Sequence, residues 1–208
     1  MQTDALAAAI LHRAAGVRRL MVAVAGPPGG GKSTLAEALE TDLNQRHPGT
    51  AAVMPMDGFH LDNAVIGPRG LMPRKGSPET FDVGGFAHTL ARIRAADQPV
   101  AVPVFDRALD LARAGARIVG PDVPVILVEG NYLLLDRDPW RELAALFDLT
   151  VFLAVSEAVL EQRLTDRWLQ FGHSAEAARD RALSNDIPNA RLVLQASRAA
   201  DIVLTQDS

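Results

Sequence analysis

The chain has 208 residues, of which 48% are hydrophobic and 22% are charged, and its formal net charge is −4. This length predicts one domain, spanning 1–208, and the mild acidity argues against nucleic acid as a partner. No apolar stretch reaches the roughly 18 residues that membrane insertion requires, and the absence of cysteine excludes a disulfide framework, which favours a cytoplasmic protein with a small-molecule partner.

Five apolar runs are typical of buried strands, and helical patterns separate most of them. The runs are Leu20–Ala25, 51–56, 123–128, Leu149–Val155 and 201–204. This alternation predicts an α/β fold in three layers, with a five-stranded parallel core sheet and helices on both faces. The irregular stretch 100–119 is expected to form an antiparallel hairpin or another excursion from this core.

The first apolar run leads directly into a glycine-rich segment, Gly-Pro-Pro-Gly-Gly-Gly-Lys-Ser, that fits the pattern G-x-x-x-x-G-K-[ST] and opens a helix. Glycines let several backbone N–H groups point at a triphosphate, and the helix start adds the positive end of its dipole. The alternative is an ordinary glycine-rich turn, but the flanking strand and helix favour a P-loop. The predicted nucleotide-binding residues are Gly26, Gly29, Gly30, Gly31, Lys32, Ser33 and Thr34.

Two further apolar runs end in carboxylates. In an open α/β sheet, groups at the carboxyl ends of strands face the ligand crevice. Glu129 is therefore expected beside the P-loop, where it and the Ser33 hydroxyl are candidate ligands of Mg²⁺ or its water shell. Asp57 is a candidate to take a proton from a substrate hydroxyl. The alternatives are a solvated glutamate at a strand end and a simple Asp-Gly turn.

Several motifs together resemble the phosphoribulokinase, uridine kinase and pantothenate kinase group of P-loop kinases. The resemblance is strongest to a nucleoside/nucleotide-kinase-like branch in which some proteins are labelled fructose transport system kinases. The matching segments, in the family's order, are 26–34, 56–60, 76–82, 102–107 and 128–130. The resemblance implies an enzyme that uses ATP and Mg²⁺ to phosphorylate a hydroxyl of a sugar-like or nucleoside-like metabolite, and it leaves a homodimer open.

The resemblance also assigns roles to residues. Asp57 matches the catalytic carboxylate of the family, and Lys32 joins it as a catalytic residue at the phosphates. The predicted acceptor-binding residues are His60, Glu79, Asp82, Asp106 and Arg107. Asp82 has an alternative role as the cap of the helix that follows it.

A small helical lid is expected at about 163–190. The resemblance implies that Arg163 or Arg167, one helical turn apart, closes over the phosphates and stabilises charge in the transition state. The alternative is surface ion pairing with Glu161, Asp166 or Asp180.

Two polar segments have less defined roles. The cations Arg69, Arg74 and Lys75 either contact an anionic substrate or are solvated. The segment Asn185-Asp186-Ile187-Pro188-Asn189-Ala190 either caps a final helix or reaches the ligand, and its composition favours capping.

A different functional class also fits the sequence. In this alternative, nucleotide binding moves the loop 57–85 so that the protein engages a partner such as a transporter. Such a regulator needs no catalytic carboxylate and no acceptor pocket.

Overall fold

The computed structural model describes residues 2–206. Its helices and strands alternate through most of this range, as the sequence predicts. The helices are α1 Gln2–Ala14, α2 Lys32–Arg46, α3 Asn63–Ile66, α4 Val83–Ala95, α5 Glu157–Gln170, α6 Ala175–Arg181 and α7 Ile187–Ala196. The strands are β1 Leu20–Ala25, β2 Ala51–Pro55, β3 Val100–Asp106, β4 Leu111–Val119, β5 Val125–Gly130, β6 Leu149–Val155 and β7 Ile202–Gln206.

The main sheet has five parallel strands in the order β2-β5-β1-β6-β7, which confirms the predicted core. β3 and β4 form a separate antiparallel hairpin, the excursion expected at 100–119. Three of the five strands differ from the prediction at their ends. The second strand ends at Pro55, since Met56 begins a 3₁₀ turn. The third is shifted from 123–128 to Val125–Gly130, and the last from 201–204 to Ile202–Gln206.

Helices cover both faces of the sheet because side chains alternate along buried parallel strands. On one face, Val22 and Val24 of β1 pack in a core with α1 and α2. On the other, Met21 and Ala23 share a core with residues of α4 and α7. All six residues of β1 are buried, and each fully buried aliphatic side chain contributes about 1.5–3 kcal/mol.

The strand order brings three chain segments to one edge. The P-loop leaves β1, Asp57 follows β2, and Glu129 lies near the end of β5, paired with Val24 on one side and Pro55 on the other. The helix α5 contacts both α6 and α7 beside this edge. Within the part of the chain that is described, no helix is both long and apolar enough to cross a bilayer.

Candidate active site

The glycine-rich loop after β1 has backbone conformations that other residues rarely adopt. Gly31, the N-cap of α2, has φ 83°. Gly26 has φ 152°, and a Cβ there would lie 2.8 Å from the carbonyl oxygen of Leu153. These conformations shape the loop at the N-terminus of α2, where backbone N–H groups without a helical partner favour an anion. The residues present therefore fit the phosphates of a nucleotide.

Lys32 and Glu129 form the charged floor of the site. Each side chain is buried, with 7% of its residue surface exposed, and the Lys32 ammonium donates a hydrogen bond to the Pro27 carbonyl at 2.8 Å. Burial lowers the pKa of Lys32 to about 8, against the opposing effects of Glu129 and Asp57. Burial, followed by the nearby Asp57 charge, raises the pKa of Glu129 to about 7, and Lys32 and a hydrogen bond with Ser33 oppose that rise. A bound cation would therefore stabilise ionised Glu129.

These residues open into a cavity of about 400 Å³. The P-loop and the carboxyl ends of β2 and β5 form its floor. The loop 57–85, the β3–β4 hairpin and the helices that follow β6 form its walls. The predicted site residues that line it are Gly29, Gly31, Lys32, Ser33, Thr34, Asp57, His60, Arg107, Glu129 and Arg167.

Asp57 lies in the 3₁₀ turn Met56–Phe59, so the Asp-Gly turn and the cavity-facing carboxylate are both present. Gly58 lets the hairpin approach this turn, because a Cβ there would overlap the Pro103 carbonyl. Arg107, directly after β3, donates a hydrogen bond to the Asp57 carboxylate at 2.9 Å. The pair holds the carboxylate in place and neutralises its charge.

His60 follows the same turn. Its Nδ1 lies 2.8 Å from the Asp57 carbonyl, and its ring packs at a tilt against Phe81 and Phe105, with centroids 4.1 Å and 4.5 Å away. Burial is the largest of several effects that lower the pKa of His60.

Three of the predicted acceptor-binding carboxylates do not line the cavity. Asp82 accepts a hydrogen bond from the Gly85 N–H at 2.8 Å, which confirms its alternative role as the cap of α4. Asp106 accepts from two backbone N–H groups in the hairpin turn, at 3.1 Å each, and pairs with Arg113. Glu79 is partly exposed and lies 3.7 Å from Arg74.

The two arginines expected in the lid, Arg163 and Arg167, line different cavities. Arg167 lines the cavity and is 3.1 Å from the buried Asp186 carboxylate, which also accepts from the Trp168 indole at 2.7 Å. Arg163 donates to the Gln206 side chain at 3.2 Å and reaches the Gly29 carbonyl at 3.5 Å. It lines a second cavity, together with Thr34 and Ala38 on α2.

The expectation that Asn185, Asp186 and Asn189 cap a helix was wrong. A π-helical turn, Ala182–Asp186, runs without interruption into α7, and Asp186 makes no side-chain cap hydrogen bond there. All three side chains line the cavity, and Asn185 donates to the Lys75 carbonyl at 2.9 Å.

Other residues that line the cavity were not predicted as site residues from the sequence. Asn131 lies two residues beyond Glu129, at a strand end, and the strand-end argument could have included it. Trp168 of α5 also lines the cavity. Arg181 lies over its ring, with the guanidinium carbon 4.7 Å from the centroid.

The oxygen atoms near the P-loop could supply some, but not all, of the ligands of Mg²⁺. Within residues 2–206, no cluster of three or more His, Asp or Glu side chains could hold a metal by itself. Mg²⁺ typically binds one or two protein oxygens together with substrate phosphates and water. The Ser33 hydroxyl and the Glu129 carboxylate, both in the cavity, fit that pattern.

No protein-family model matches the chain, but comparison with curated proteins finds relatives over most of its length. The uncharacterised Escherichia coli protein YggC is 36% identical over 189 residues, covering 90% of this chain and 78% of YggC. A candidate uridine kinase of Schizosaccharomyces pombe is 33% identical, covering 91% and 84%. The pantothenate kinase of Chelativorans sp. is 30% identical over 163 residues, and the match covers 74% of this chain and 51% of that enzyme.

One solved structure is similar over almost its whole length. It is a candidate fructose transport system kinase from Silicibacter sp. TM1040, with a TM-score of 0.92 and 46% sequence identity. The match covers 98% of this chain and 99% of that one.

Proposed function

The chain belongs to the uridine kinase and pantothenate kinase family of P-loop kinases, and on that premise we propose that it phosphorylates a hydroxyl of a sugar-like metabolite with ATP. That it is an ATP-dependent small-molecule kinase follows from the family. The acceptor, the use of Mg²⁺ and the role of each residue belong to the proposal.

One observation carries the proposal. Lys32, Glu129 and Asp57 come from three different segments and line one cavity beside an open P-loop. A nucleotide-binding protein without a second substrate has no need of Asp57, whose position suits a hydroxyl that attacks the γ-phosphorus.

In the proposed reaction, the P-loop N–H groups and Lys32 hold the phosphates. The acceptor oxygen forms a bond to the γ-phosphorus while the bond to the β–γ bridging oxygen breaks, so ADP leaves with the bridging oxygen. Asp57 takes the hydroxyl proton, and Arg107 moves off the carboxylate to allow it. Arg167 stabilises charge on the transferred group. Ser33 and Glu129 would hold Mg²⁺, which supplies further charge neutralisation.

Arg163 has a separate role in this proposal. Its guanidinium borders the second cavity, on the other side of the P-loop from Asp57. Because a planar guanidinium stacks well on aromatic rings, we assign this cavity to the base of the nucleotide. The segment 163–190 then acts as a lid that contacts both ends of ATP, within a single domain.

The acceptor assignment can be tested by measuring ADP release from ATP and Mg²⁺ with D-fructose, other sugars, uridine, pantothenate and sugar phosphates. D-fructose comes first because the solved relative is named for fructose transport. We expect a sugar to stimulate ADP release and Asp57→Asn to abolish the stimulation. If no acceptor stimulates release and Asp57→Asn has no effect, a nucleotide-dependent regulator becomes the better account.

A further inference from the structure

The imidazole ring of His60 is held in one position, and the reaction proposed above gives it no role. Two aromatic rings pack against it at tilts of 44° and 39°, Phe81 from the loop 57–85 and Phe105 from β3. These contacts restrict rotation of the ring, and the hydrogen bond of Nδ1 to the Asp57 carbonyl, at 2.8 Å, fixes its orientation.

This hydrogen bond also fixes the tautomer. A carbonyl oxygen only accepts, so Nδ1 must carry the hydrogen, and the neutral ring then has a lone pair on Nε2. Within residues 2–206, no side chain or backbone group makes a hydrogen bond to that nitrogen. His60 lines the cavity, so Nε2 is an acceptor available to a ligand.

Burial favours the neutral ring. It is the largest effect on the pKa of His60 and lowers it, the Asp57 carboxylate and carbonyl oppose it, and the cations Lys75 and Arg107 add smaller lowering effects. These groups belong to the loop, the hairpin and the turn that pack around the ring. The lone pair is therefore retained near neutral pH.

The position of the other carboxylates makes this acceptor more significant. Glu79, Asp82 and Asp106 were expected to hold substrate hydroxyls, but all three lie outside the cavity. Near Asp57, the hydroxyl groups of the substrate must therefore donate hydrogen bonds to other groups of the protein. His60 is three residues from Asp57 and is bonded to its backbone, so the two acceptors are held in a fixed relation.

We propose that Nε2 of His60 accepts a hydrogen bond from a second hydroxyl of the acceptor, adjacent to the hydroxyl that reaches Asp57. The enzyme thereby selects acceptors with vicinal hydroxyls, as in sugars and polyols. This inference rests on the proposed kinase function and narrows its substrate class. His60 is a specificity-determining residue, and Asp57 remains the group that handles the proton.

A matched pair of small acceptors tests the inference. Glycerol and 1,3-propanediol have the same two primary hydroxyls and differ only in the central one, and D-fructose serves as a larger vicinal acceptor. With saturating ATP and Mg²⁺, we expect kcat/KM for glycerol to exceed that for 1,3-propanediol by about tenfold, the range of one hydrogen bond in a polar site.

Variants of His60 then test whether this residue causes the preference for glycerol. His60→Phe keeps an aromatic ring beside Phe81 and Phe105 and removes Nε2. The ratio of kcat/KM for glycerol to that for 1,3-propanediol should then fall to about one, through a rise in the KM for glycerol. His60→Gln places an amide oxygen near Nε2 and should restore part of it. His88→Phe is the matched control, since the Nδ1 of His88 also bonds a backbone carbonyl, that of Gly84 at 2.9 Å, but on the exposed side of α4.

The outcomes separate the two proposals. If glycerol and 1,3-propanediol are phosphorylated equally well, or if His60→Phe keeps the wild-type preference, the inference is wrong while the kinase function stands. If no acceptor is phosphorylated, both fail. Imidazole ¹⁵N spectra of the wild-type protein give an answer that does not depend on the folding of a variant, because a hydrogen on Nε2 of His60 at neutral pH would overturn the inference.

Discussion

The buried carboxylate of Glu129 leads to a quantitative prediction about stability. Its ordinary pKa of 4.5 is raised to about 7 in the folded chain, chiefly by burial. Between these values the unfolded chain has released the proton while the folded chain retains it, so the folded state becomes less stable as pH rises. A displacement of this size corresponds to about 3 kcal/mol, so Glu129→Gln should stabilise the protein by up to that amount above pH 7.

The assay is urea unfolding of both proteins at pH 5.0 to 7.5, without nucleotide or divalent cation. The difference in the free energy of unfolding should be small at pH 5 and should grow with pH. The upper limit keeps the measurement below the pKa of Lys32, about 8. Glu142→Gln, at an exposed glutamate, is the control and should change little. A difference between Glu129→Gln and wild type that does not vary with pH would refute the reasoning.

Four further predictions follow from the same geometry. Asp57→Asn should lower kcat by about 10²- to 10⁴-fold in the ADP-release assay, with little change in the Kd for ATP, and an unchanged kcat would exclude the proton-transfer role. Arg167→Ala should act mainly on kcat and Arg163→Ala mainly on the KM for ATP; equal effects on both constants would contradict their separation by the P-loop. Gly26→Ala should abolish nucleotide binding measured by calorimetry, because the new Cβ meets the Leu153 carbonyl. Asp82→Ala should lower the free energy of unfolding by about 1 kcal/mol, as expected for a lost helix cap, and should leave the kinetics unchanged. A large rise in the KM for the acceptor would instead show that Asp82 binds the substrate.

The fold and the floor of the site could be predicted because they depend on patterns that the backbone enforces. Parallel strands end at one edge of a sheet, so a carboxylate at the end of an apolar run can be assigned to that edge from the sequence alone. Asp57 and Glu129 were both located in this way. The Gly-rich loop between strand and helix was equally clear, because few other residues tolerate its backbone conformations.

The walls of the site were harder to predict because they depend on irregular backbone. Asp82 can either cap α4 or point into the cavity, and only the path of the loop selects the cap. The π-helical turn Ala182–Asp186 shifts the phase of the side chains that follow it, so a segment with the composition of a helix start turns its amides inward. Arg163 and Arg167 share one helix face, but the rise of about 6 Å between them places them beside different cavities.

The central claim is that Lys32, Asp57 and Glu129 act together to transfer phosphate to an acceptor hydroxyl. The most direct test is ³¹P NMR of the protein incubated with ATP, Mg²⁺ and D-fructose or glycerol. Phosphoryl transfer to the acceptor should give a phosphomonoester resonance that grows in step with ADP and is absent with Asp57→Asn. Inorganic phosphate as the sole product, formed at the same rate with or without an acceptor and in the Asp57→Asn variant, would contradict it.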